Sequence, residues 1–99
     1  MLSIEKQLND GVLDVQLEGR LDTNTSPELE EEMKDVLEQA KELNINCEKL
    51  DYISSSGLRV FLAFQKVMNK QGSMKVTNVN EDIMEIFEVT GFSDILTIE

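Results

Sequence analysis

The chain has 99 residues, 40% of them hydrophobic, and carries 9 Lys and Arg against 20 Asp and Glu for a net charge of −11 at pH 7. That length holds a single domain, residues 1–99, around one core, and a field of that sign opposes a nucleic-acid backbone or an anionic membrane surface while favouring a partner with a basic face. With no histidine and one cysteine, catalysis through a histidine base, an internal disulfide and a transition-metal ligand cluster are excluded, so a binding module without cofactor or metal is expected rather than an enzyme.

The N-terminus, Met1-Leu2-Ser3-Ile4-Glu5-Lys6, lacks a cationic region followed by an apolar stretch, and no run approaches the ~20 apolar residues of a membrane span. Cys47 reads as a small buried hydrophobe. These features lead to the expectation of a cytoplasmic protein.

Asn9-Asp10-Gly11 is a turn signal between two strand-like segments, residues 2–8 and 12–18. In the second, Leu13, Val15 and Leu17 alternate with Asp14, Gln16 and Glu18, as in a half-buried strand. Ser26-Pro27-Glu28 reads as N-cap, first helical residue and dipole-matched acid. Leu29, Met33, Val36, Leu37 and Ala40 follow at helical spacing, which predicts one amphipathic helix laid on a sheet.

Leu43, Ile45 and Cys47 alternate as a short strand, and a second helix begins near Ser55. Residues 58–68 are apolar on most sides, so this helix is expected to be largely buried, with Gly72 ending it. Residues 74–79 form the next strand. Asn80 caps a third helix bearing Ile83, Ile86 and Phe87 and closed at Gly91, and residues 94–98 add a last short strand or helical turn. Phe61, Phe64, Phe87 and Phe92 are core candidates. Strands alternating with helices imply an α/β sandwich: a mixed sheet of four or five strands with about three main helices on it.

Two polar clusters carry chemistry. In Tyr52-Ile53-Ser54-Ser55-Ser56-Gly57-Leu58-Arg59, three hydroxyls stand where a strand-to-helix loop becomes the first turn of the second helix. The first N–H groups of a helix lack intrahelical acceptors, so a phosphate on Ser55 or Ser56 would meet free donors there. The same serines read equally as ordinary N-caps, and Gly57 either as room for a kinase to approach the backbone or as a packing contact. A serine hydrolase is excluded, for there is neither a histidine nor a Gly-x-Ser-x-Gly elbow. The second cluster, Gly19-Arg20-Leu21-Asp22-Thr23-Asn24-Thr25, is a loop in which Asp22 and Asn24 can bond their own backbone and Thr25 or Ser26 can cap the helix.

Taken together, the two clusters resemble the STAS domain family, best known for bacterial anti-sigma factor antagonists. Gly19-Arg20-Leu21-Asp22 is similar to the family's Gly-x-Leu-Asp after the second strand. Leu50-Asp51-Tyr52-Ile53-Ser54-Ser55-Ser56-Gly57-Leu58-Arg59-Val60 is similar to its signature, in which an aromatic-Ile pair precedes Asp-Ser-Ser-Gly-Leu or a close variant. Ile86-Phe87-Glu88-Val89-Thr90-Gly91-Phe92 resembles its last helix and following turn.

The resemblance implies a partner-switching regulator of transcription. In that family an anti-sigma factor with serine kinase activity binds the unphosphorylated antagonist, which frees the sigma factor. The kinase then phosphorylates the antagonist on the serine before the signature glycine, and a PP2C-type serine phosphatase reverses the mark. Carried to this chain, the acceptor is Ser56, with Ser55 as the fallback. Asp22 and Thr23 would face the kinase from the neighbouring loop, and Ser54, Ser55, Gly57, Leu58 and Arg59 would complete the docking patch. Two positions depart from the pattern: Ser54 stands where an Asp often precedes the paired serines, and Asn46 where many members carry an Asp at the end of the third strand. Two rival readings are an unphosphorylated STAS scaffold and a nucleotide-binding sensor module. Against the sensor, Gly19 and Gly57 are isolated and no Gly-x-x-x-x-Gly-Lys-Ser/Thr loop occurs.

Overall fold

A computed structural model describes residues 2–99. Its elements run β1 (Leu2–Asn9), β2 (Val12–Leu21), α1 (Ser26–Met33), β3 (Glu42–Ile53), α2 (Ser55–Gln71), β4 (Ser73–Thr77) and α3 (Glu81–Thr90). They form one four-stranded sheet in the order β1-β2-β3-β4. β1 and β2 are an antiparallel hairpin, and β3 and β4 join in parallel. The hairpin closes on Asp10 and Gly11 with φ of 50° and 82°, the left-handed pair that a tight two-residue turn needs to match strand twist.

Period-two alternation decides the layers. Leu13, Val15, Leu17, Leu43 and Ile45 are buried on one face beneath the helices, where Phe61, Met68 and Phe87 meet them. The opposite face carries Asp14, Gln16, Asn44 and Asn46 and is polar. The result is a two-layer α/β sandwich with its core on one side of a mixed sheet.

Four features differ from the periodicity alone. β3 continues through Ile53 instead of ending near Cys47, because two register shifts against β2, between Gln16 and Glu18 and between Gly19 and Arg20, insert extra β3 residues. Each shift breaks the alternation, so Glu48-Lys49 appear as an exposed pair between buried Cys47 and Leu50, and Asp51-Tyr52 as another between Leu50 and Ile53.

The first helix stops at Met33, and Leu37–Gln39 form a separate 3-10 turn. Gln71, the last residue of α2, explains the change: its Nε2 donates to the Leu37 carbonyl at 2.7 Å and to the Ala40 carbonyl at 2.6 Å. The helix also starts one residue early, with Thr25 at the N-cap and Ser26 already helical.

α2 is amphipathic rather than largely buried. Leu58, Val60, Phe61, Phe64 and Met68 face the sheet, whereas Ala63, Lys66 and Val67 face solvent, since nothing covers the helix layer. At the C-terminus both expected forms occur: a 3-10 turn at Phe92–Asp94, then a single parallel bridge from Ile98 to Val76. Phe92 is only half-buried at the core margin.

Gly72 ends α2 where the chain crosses Lys41. A Cβ on Gly72 would overlap the Lys41 carbonyl oxygen, which accepts the Ser73 N–H at 3.0 Å. Gly72→Ala must therefore push apart backbone that joins β3 to β4. We expect a loss of about 3 kcal/mol, read as a lower urea midpoint at unchanged slope; an unchanged midpoint would contradict this packing.

Candidate functional site

The parallel pairing of β2 with β3 brings Leu21 and Ile53 side by side, so the segments that follow these strands leave the sheet together. Ser54 N–H donates to the Leu21 carbonyl at 2.9 Å, which ties the serine loop to the end of β2. Ser54 is the N-cap of α2: its backbone is extended and its Oγ accepts the Gly57 N–H at 3.3 Å. Ser55 is exposed and Ser56 half-buried, both in the first turn.

The loop from Asp22 to Thr25 is closed by its own hydrogen bonds. Asp22 Oδ1 accepts the N–H groups of Asn24 and Thr25, each at 3.0 Å. Thr25 Oγ1 accepts the Asp22 N–H at 2.8 Å and donates to the Arg20 carbonyl at 2.8 Å. Ser26 Oγ donates to the Asp22 carbonyl at 2.6 Å. The Thr25 N–H, aided by the Thr25 hydroxyl, the Asn24 N–H and the Arg20 charge, holds the Asp22 carboxyl below its ordinary range, against an opposing desolvation.

Arg20 stands outside this loop. Its guanidinium lies over the Tyr52 ring at 4.2 Å, and its Nε is 3.8 Å from Asp22 Oδ2. The two residues are register partners on β2 and β3, so the stack crosses the seam between the two loops.

The clusters meet at Thr23 and Ser56, whose hydroxyl oxygens are 3.4 Å apart. Around them lies an open concavity of about 250 Å³, lined by Thr23, Ser26, Pro27, Glu30, Ser56 and Arg59. It holds one cationic and one anionic side chain and two free-standing hydroxyls. That set suits docking and group acceptance at a hydroxyl. It contains no pair of groups able to act as acid and base.

Of the residues singled out from sequence, Asp22, Thr23, Ser54, Ser55, Ser56 and Arg59 converge on this end of the sheet. Leu58 and Gly57 do not contribute side-chain surface. Leu58 is 4% exposed and belongs to the core. A Cβ on Gly57 would lie 2.8 Å from both Leu21 Cγ and Ile53 Cγ1, so this glycine serves close packing rather than an open approach for an enzyme. Sequence reasoning missed Thr25 as the loop's centre, and missed Arg20, Tyr52, Pro27 and Glu30. Arg20 and Tyr52 stood in the motifs with no role attached, and Thr25 closes its loop through bonds to Asp22 and Arg20; Pro27 and Glu30 depend on contacts across the fold.

Among the described residues no group of three or more His, Cys, Asp and Glu gathers as for a metal ion, and no helix is long and apolar enough to cross a membrane. Cys47 is buried in β3, and burial pushes its thiol up to about 12, which makes it inert as a nucleophile.

Comparison with known proteins agrees with this geometry. The family model of the STAS domain matches residues 3–99. The chain is 32% identical over 98 residues to the anti-sigma-B factor antagonist of Bacillus subtilis (strain 168), covering 98% of this chain and 90% of that protein. Its fold is similar to the crystal structure of an anti-sigma factor antagonist from Mycobacterium paratuberculosis, with a TM-score of 0.89 at 21% identity over 99% of this chain and 85% of that one. It is also similar to the Bacillus cell fate determinant SpoIIAA in its phosphorylated form, with a TM-score of 0.76 at 16% identity over 98% and 91% of the two chains.

Thr25→Val leaves the Asp22 N–H and the Arg20 carbonyl without their partner, and should cost about 1–3 kcal/mol in chemical denaturation. Asp22 has a folded pKa depressed below its ordinary 3.8, so its contribution is present above that value and lost as pH falls through the folded pKa. Asp22→Asn should therefore lower stability at neutral pH and flatten the stability profile below pH 3.8. A variant with the wild-type acid limb would contradict the loop assignment.

Proposed function

The chain belongs to the STAS domain family, and from that membership we propose that it is an anti-sigma factor antagonist switched by phosphorylation of Ser56. The observation that carries the proposal is the place of that hydroxyl. Ser56 is half-exposed in the first turn of α2, within 3.4 Å of Thr23 Oγ1, at the meeting of the two loops that the family motif contributes. Of the three serines, Ser54 has its oxygen engaged in the cap; between the other two, the family resemblance favours the serine before the signature glycine, Ser56, with Ser55 as the fallback acceptor.

In this reading the unmodified face, formed by Thr23, Ser55, Ser56 and Arg59, docks an anti-sigma factor with serine kinase activity in the cytoplasm. The net charge of −11 suits a partner with a basic docking face. The kinase transfers the γ-phosphoryl of ATP to Ser56 Oγ, and the hydroxyl proton leaves to the kinase's own base. The chain supplies only the acceptor, in keeping with a binding module rather than an enzyme. The phosphate adds about −1.5 to −2 charges in a concavity that already contains Glu30. Release follows from the desolvation cost of the phosphate and from lost packing at a closely fitted patch, with no rearrangement of the fold. A PP2C-type serine phosphatase resets the switch.

Incubation with the cognate kinase and ATP, followed by intact mass and peptide fragmentation, should place one phosphate on Ser56 and none in Ser56→Ala. Ser56→Asp should weaken the kinase complex by roughly a hundredfold, since a carboxylate buried without a partner in a docked interface costs several kcal/mol. An active kinase that modifies none of Ser54, Ser55 and Ser56 would overturn the switch and leave a constitutive STAS scaffold.

A further inference from the structure

We propose that the open edge of β1 is a strand-addition site for an extended polypeptide segment whose helix-side positions, every second residue, carry both aliphatic and Lys or Arg side chains. The two edges of the sheet are treated differently. Along β4, the C-terminal segment pairs with the edge at Val76, whose N–H donates to the Thr97 carbonyl at 2.8 Å and whose carbonyl accepts the Glu99 N–H at 3.0 Å. Along β1, no described segment pairs with the outer edge, which stays open over the eight residues Leu2–Asn9. An exposed edge of that length is a template for another strand.

A groove accompanies this edge. It holds about 490 Å³ between β1 and α1 and is lined by Leu2, Ile4, Pro27, Glu28, Glu31 and Glu32. Leu2 and Ile4 point to the helix side of the strand, at the two-residue spacing at which an added strand would present its own side chains. The rim is acidic. Lys6 neutralises Glu32, with Nζ 2.9 Å from its carboxylate and donating to its backbone carbonyl at 2.6 Å. Glu28 and Glu31 make no ion pair among the described residues. Aliphatic side chains would therefore seat against Leu2, Ile4 and Pro27 while cations meet Glu28 and Glu31.

Charge also selects against a second copy as occupant. Two chains at −11 each would bring like fields together at this edge, whereas a basic strand is attracted. Position links the edge to the site. Leu2 pairs with Gly19 at the site end of β2, and Pro27 lines both this groove and the concavity around Ser56. A partner seated at Ser56 could run a basic strand along β1 without a gap. The edge and its groove do not require that Ser56 be phosphorylated.

The test uses the full chain labelled with 15N and an end-blocked octapeptide of two Val-Ser-Lys-Ser repeats as probe, which sets Val and Lys on one face, with a Val-Ser-Glu-Ser octapeptide as control. Amide shifts confined to Leu2–Asn9 and residues 28–32, slowed exchange of β1 amides and no response to the Glu-containing peptide are expected. Glu28→Lys/Glu31→Lys should weaken binding about tenfold, and Glu28→Gln/Glu31→Gln should weaken it less, with both variants keeping wild-type spectra elsewhere. Shifts spread over α3 and the polar sheet face would mean diffuse electrostatic attraction and would overturn the proposal. So would concentration-dependent dimerisation of the chain alone with protection of β1.

Discussion

Leu21 and Ile53 close over the backbone of Gly57 at a distance that leaves no space for a side chain. The remaining geometry of the site depends on that contact. It draws the N-terminus of α2 down between the ends of two parallel strands, and the bond from Ser54 N–H to the Leu21 carbonyl locks the approach. Because the helix cannot ride higher, Ser56 comes level with the loop leaving β2 and its hydroxyl reaches that of Thr23. The functional surface is thus the outer skin of a core contact, and its precision comes from packing rather than from polar bonds among the exposed residues.

The loop beside it is organised from within. Asp22 directs its carboxylate to backbone N–H groups, and Thr25 and Ser26 return their hydroxyls to backbone carbonyls. What the loop leaves outward is Thr23, free to pair across the gap, and Arg20, which is drawn back over Tyr52. Rigid support under a small set of adaptable hydroxyls suits a docking surface, because docking then orders few groups.

The parts of this fold that were legible in the sequence are those governed by local chemistry. Asp10-Gly11 turns the hairpin, Ser54 and Asn80 cap their helices through their own side chains, and Gly72 and Gly91 end them. The parts that were not legible depend on distant partners. Nothing near Met33 announces that Gln71 will claim the carbonyls of Leu37 and Ala40 and divert the chain into a 3-10 turn. The two shifts in β3 erase the alternation that reveals a strand, and they exist because β2 sets a spacing its neighbour must match. Leu58 carried two signals: the apolar run of α2 marked it for burial while the motif counted it in a docking patch, and its phase on α2 turns it into the core.

The hydrogen bond between Thr23 and Ser56 has two senses, for either oxygen can donate. When Ser56 donates, its proton is held by its neighbour and its oxygen is screened from an external base. When Thr23 donates, the Ser56 proton points outward and the oxygen keeps a lone pair for attack. Reversing the sense needs only a rotation of two hydroxyl hydrogens, with no heavy atom displaced. In the switch proposed for Ser56, readiness for phosphoryl transfer would then be a matter of proton order: a docked active site would select one of two arrangements that differ only in hydroxyl rotation.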